Sequence, residues 1–92
     1  MTVYRIQDNI KYLRKTLSLT GIQFAECISS TRSLVTSWEC GHSIPSIEAF
    51  QKISNVMMIS IDDMVREDLS KIPPVVLEER YHAIQYNLNL GN

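Results

Sequence analysis

The side chains able to make or break bonds are few, and they do not gather in the sequence. Cys27 and Cys40 stand without a CxxC pair or a second cluster, which predicts two reduced thiols. Cys40 and His42 offer two metal ligands where a structural zinc site takes four, so no metal is expected. His42 and His82 lack an obvious nucleophile or acid partner. The pairs Asp62-Asp63 and Glu78-Glu79 fall where helices begin, and there the helix dipole explains them better than acid–base catalysis does. No enzymatic activity, cofactor or small-molecule ligand is therefore expected. The chemistry on offer is recognition, centred on Thr20 to Gly41 (TGIQFAECISSTRSLVTSWECG), which predicts two short helices with the second aimed at something long and anionic.

The local signals for that pair are specific. Thr20 with Gln23 three residues on makes a capping box. Phe24, Ala25 and Ile28 repeat at helical spacing, and Ser29-Ser30 breaks the helix because these side chains compete for backbone hydrogen bonds. Thr31 is the next N-cap, ahead of Leu34, Val35 and Trp38. Gly41 suits the left-handed position past a helix end. Two helices of about two turns bury too little surface alone, so flanking elements must supply a core.

Those elements are legible in the spacing. Ile6, Ile10, Leu13 and Leu17 form an apolar stripe for a first helix, with Asp8 near its start and Arg14 and Lys15 near its end. Pro45 holds Ile44 extended, and Ser46 caps a helix reaching about Met57 through Ile47, Phe50, Ile53 and Val56. Ser60 opens a fifth, short helix with Ile61, Met64 and Val65 turned inward. Pro73-Pro74 ends that unit. Leu77, Tyr81, Ile84 and Leu88 then predict a last amphipathic helix, set either against the same domain, over helices one and five, or against a second copy.

The 92 residues suit one domain, and 45% apolar with 21% charged residues is ordinary for a folded one. No apolar run approaches the roughly 18 residues that span a bilayer, and the first residues lack a signal-peptide core, so the expectation is a cytoplasmic, non-membrane protein. Net charge is −1, but it is unevenly placed: residues 1–45 hold five basic and three acidic groups, residues 46–92 four and seven. The mild positive excess lies on the half that carries the two-helix stretch, the sign that an anionic partner requires.

Over about residues 6–66 the sequence resembles the Cro/C1-type (XRE) helix-turn-helix family. The agreement runs through Leu13-Arg14-Lys15, Leu19-Thr20, Phe24-Ala25-Glu26, Ile28, Thr31-Arg32-Ser33, Val35, Trp38-Glu39, Gly41, Pro45-Ser46, Ile53 and Ser60-Ile61-Asp62. The resemblance implies an all-α, five-helix lambda-repressor-like DNA-binding domain at 1–69, with 70–92 as linker and added C-terminal helix. It implies that Arg14 and Glu39 pair to fix the angle of the helix starting at Thr31. That helix would lie in the major groove, with Thr31, Arg32, Ser33, Leu34, Thr36 and Ser37 toward the bases. Arg32 suits guanine O6 and N7, and Leu34 a thymine methyl unless it serves the core or a dimer. Thr20, Gly21 and Gln23 at the second helix, with His42 and Ser43 in the loop, would meet phosphates.

Three departures from the family pattern stand out. Gly21 replaces a long polar residue, His42-Ser43-Ile44 replaces a basic loop, and Met58 replaces a helix-ending glycine. The implied partner is double-stranded DNA bearing a pseudo-palindromic operator. The expected state is a homodimer using Leu77, Tyr81, Ile84 and Leu88 as its candidate seam. The alternative is an antirepressor- or antitoxin-like interaction module on the same fold.

Overall fold

Hydroxyl side chains begin four of the helices. Thr20 Oγ1 accepts from the Gln23 N–H at 3.1 Å, Thr31 Oγ1 from Leu34 at 3.2 Å, Ser46 Oγ from Ala49 at 3.1 Å and Ser60 Oγ from Asp63 at 3.0 Å. Each such cap stabilises its helix by about 1 kcal/mol. At Thr20 the box is complete, because Gln23 Oε1 accepts from the Thr20 N–H at 2.8 Å.

The computed structural model describes residues 5–90, and side chains as far as Ile84. The order is α1 (Ile6–Thr16), α2 (Gly21–Cys27), α3 (Arg32–Glu39), α4 (Ile47–Met57), α5 (Ile61–Arg66), a 3-10 turn (Leu69–Lys71) and α6 (Pro74–Leu90). The five-helix unit and the added helix thus match the expected all-α class. Its core takes Ile10 and Leu13 from α1, Phe24, Ala25 and Ile28 around α2, Val35 and Trp38 from α3, and Phe50, Ile53 and Met57 from α4. The helix ends also follow the sequence signals. Met58, where a glycine would be expected, is left-handed at φ 55°, as are Ser18 and Ser29 in their turns.

The segment after α5 is anchored on α1. Asn9, buried on α1, donates through Nδ2 to the carbonyls of Met64 and Glu67, both at 2.7 Å, and its Oδ1 accepts from the Leu69 N–H at 3.0 Å. Tyr12 Oη donates to the Ile72 carbonyl at 2.6 Å, and the Arg5 N–H donates to the Val65 carbonyl at 2.9 Å. Residues 65–72 are therefore tied along α1, and Leu69 enters the core. Pro74 occupies the first position of α6, where a missing N–H removes no helical bond.

This tether delivers α6 against α4 and α1 rather than over α1 and α5. Leu77 is fully buried in the core of its own domain, so it is not available as part of a dimer seam. Tyr81 is half-buried, its hydroxyl 3.4 Å from the Cys27 sulfur, and Ile84 is half-buried as well; the Leu88 side chain lies outside the described residues. Apolar residues of α6 are not confined to the packed stripe, since Val75 remains 56% exposed.

Candidate nucleic-acid interface

Among the described residues, the ion pair of Arg14 and Glu39 is the most enclosed, and it governs the pose of α3. Arg14 Nε donates to Glu39 Oε2 at 2.6 Å and Nη2 to Oε1 at 2.8 Å, a bidentate arrangement. Arg14 Nη1 also reaches the Leu19 carbonyl at 3.0 Å, which ties the α1–α2 connection to the same guanidinium. The Glu39 hydrogen bonds hold Arg14 above its ordinary pKa; burial opposes them, and the Glu39 charge adds a smaller upward push. Arg14 sits late in α1 and Glu39 at the end of α3, so the pair ties the two helices together.

The other end of α3 is presented to solvent. Thr31, Arg32, Ser33, Leu34 and Thr36 are exposed, and Ser37 is half-buried. They do not form one face. Arg32, Ser33 and Thr36 line a shared shallow hollow, while Leu34, 47% exposed, stands in a separate groove with Trp38, Ile44 and Lys52. Thr31 spends an oxygen lone pair on its capping bond, leaving its hydroxyl proton free to donate. Ser37 Oγ lies 2.7 Å from Ser43 Oγ, and the Ser37 carbonyl accepts from the His42 N–H at 2.9 Å. These bonds fold the loop back on the end of α3 and place His42 and Ser43, both exposed, beside it.

Gly41 makes that reversal possible. Its φ is +79°, and a Cβ there would stand 2.5 Å from Gln7 Oε1, so the end of the Gln7 side chain from α1 rests on the loop at this point. Gly21 is different: a Cβ would find only Arg32 Cγ, at an ordinary 3.6 Å. Thr20 and Gln23 are exposed and bonded to each other in the box.

One residue of this surface lacked a distinguishing sequence signal. Lys11, one turn ahead of Arg14 on α1, lines a recess with Gly21, Arg32 and Thr36. Sequence alone offered only its spacing from Arg14, which is the same three-residue step that puts many lysines on solvent faces.

With this geometry in place the chain can be assigned to a class. The pattern of the helix-turn-helix family matches residues 10–64, and the chain belongs to that family, the XRE-type group of DNA-binding regulators. It is 38% identical over 63 residues to the antitoxin PezA of Streptococcus pneumoniae, a match covering 68% of this chain and 40% of that protein. The chain thus spans less than half the length of that curated relative. Its fold is shared with a transcriptional regulator from Listeria innocua, at a TM-score of 0.65 and 22% identity, over 98% of this chain and 94% of the other. No helix among the described residues is long and apolar enough to cross a membrane.

Proposed function

We propose that this protein is a sequence-specific transcriptional regulator, acting as a repressor, that sets α3 into the major groove of a pseudo-palindromic operator as a homodimer. The observation that carries the reading is the locked α3: its amino-terminal polar residues are exposed while Arg14 and Glu39 fix its carboxy-terminal end. Arg32 forms a bidentate contact to a guanine, and Ser33, Thr36 and the Thr31 hydroxyl bond base edges or phosphates. Leu34, on its own side of the helix, meets a thymine methyl at the edge of the footprint. Thr20, Gly21, Gln23, His42 and Ser43 flank this row and approach the backbone. Two copies with half-sites one helical turn apart would double the contacts of a single small module.

A fluorescence titration with operator-selected and random duplexes at two salt concentrations tests this. Tight, salt-sensitive binding of the selected duplex is the expected result; binding of neither duplex at low salt ends the regulator reading. A second reading is favoured by the likeness to PezA, an antitoxin, and by Leu34, Ile44 and Ile47, which are exposed and apolar close to the loop after α3. On that reading the same fold neutralises a protein partner, and DNA binding is weak.

A further inference from the structure

We propose that Lys11 of α1 grips a backbone phosphate of the bound DNA, in a recess that the missing side chain of Gly21 leaves open. The assignment depends on the DNA-binding function proposed above. The recess, of about 300 Å³, is lined by Lys11, Arg14, Gly21, Arg32, Thr36 and Glu39. Its charge is decided by which groups are already satisfied. Both Glu39 oxygens are taken by Arg14, so that pair contributes no net charge. Among the described residues neither Lys11 nor Arg32 makes an ion pair. Two residues with unpaired cationic side chains therefore border one small open space. Without an anion they repel, and a phosphate held by Lys11 relieves that repulsion while Arg32 extends toward the bases.

The shape points to the same ligand. A Cβ at position 21 would rest against the Arg32 stem, so a longer side chain there would project into this recess. Gly21 leaves the space to an incoming group instead. Arg32 and Thr36 border both the recess and the outward hollow they share with Ser33. An anion held here is thus next to the row that reads bases, where a duplex reaching α3 would carry its phosphates. Lysine suits this task, because a compact charge on a flexible stem meets a phosphate without a fixed geometry. The phosphate grip missing at Gly21 is supplied from α1, and Arg32 is left to reach the bases.

Lys11→Gln is the test, measured as affinity against salt on the selected and random duplexes. The logarithmic salt slope becomes shallower by about 0.9, the share of one neutralised phosphate. Affinity falls by the same factor on both duplexes, because a phosphate contact carries no sequence information. Lys11→Arg keeps the wild-type slope, and so does Lys71→Gln, which removes an exposed charge outside the recess. Gly21→Glu leaves Lys11 intact, places a carboxylate in the recess, and weakens both complexes. A wild-type slope in folded Lys11→Gln overturns the proposal and leaves the regulator reading standing. Should Lys11→Gln fail to fold, undiminished binding by Gly21→Glu overturns it equally. If inorganic phosphate raises the wild-type melting temperature but not that of Lys11→Gln, with the DNA slope unchanged, the recess holds free anions and the DNA assignment is wrong. Wild-type protein that binds neither duplex removes both readings together.

Discussion

Each charged or polar residue that shapes the interface has an energetic signature of its own. Glu39→Ala leaves the Arg14 guanidinium enclosed without its bidentate partner. Because Arg14 keeps 19% side-chain exposure, the cost is about 2–3 kcal/mol, below that of a fully buried pair, and urea unfolding measures it. DNA affinity should fall further than this loss of folded protein explains, since α3 also loses its anchor. Arg32→Ala makes the opposite pattern: unfolding is unchanged, while preference at one base pair relaxes by roughly 1–3 kcal/mol in competition titrations. The two glycines divide in the same way. Gly21→Ala meets only ordinary contact at a helical position and should stabilise by about 0.4–1 kcal/mol through the unfolded chain. Gly41→Ala forces an L side chain into left-handed backbone and should cost about 1–2 kcal/mol in the same unfolding experiment.

At the scale of elements, the last helix is a packed component with a pH-sensitive contact. The Cys27 thiol bonded to Tyr81, together with burial, pushes the phenol up to about 12. A phenol whose folded pKa is raised contributes stability that is fully present below its ordinary value of 10.0. The contribution disappears as pH rises from there through about 12. A tyrosinate absorbance titration should therefore show a late component that is absent in Tyr81→Phe. Leu77→Ala tests the packing itself and should cost about 2–5 kcal/mol.

The first five helices were legible because capping hydroxyls and apolar stripes are local signals, carried by Thr20, Thr31, Ser46 and Ser60 within three residues of the groups they bond. The seating of α6 was not legible. It is set by Asn9 and Tyr12, whose partners lie 55 to 60 residues away, and nothing in an isolated asparagine announces a distant carbonyl. The site divides along the same line. The Arg14–Glu39 pair followed from a family resemblance across many positions. Lys11 and the separation of Leu34 from Arg32 depend on how helices face one another in space.

For the molecule as a whole, α6 is part of the core that underlies the interface. Loss of residues 72–92 would remove Leu77 from its fully buried place and Tyr81 from Cys27. Truncation after Lys71 should accordingly lower the urea midpoint sharply, whatever it does to self-association. A test of dimerisation on the folded chain is better made at the exposed Val75 or Met58, by Asp substitutions read out in light scattering. Retained mass in both would move the search for a dimer contact to Leu34, Ile44 and Ile47.

The Asn9 knot also bears on how the protein is made. Synthesis proceeds from the amino-terminal end, so α1 leaves the ribosome long before the backbone groups that Asn9 serves. The contacts between α2 and α3, and the Arg14–Glu39 pair 25 residues apart, are close in sequence and can assemble early, whereas the Asn9 and Tyr12 bonds of α1 close loops of 55 to 60 residues. A nascent chain can thus display a formed α2–α3 pair while the core beneath it is still open. The core under that pair closes only once Leu69 and Leu77 have been added, since both are buried in it.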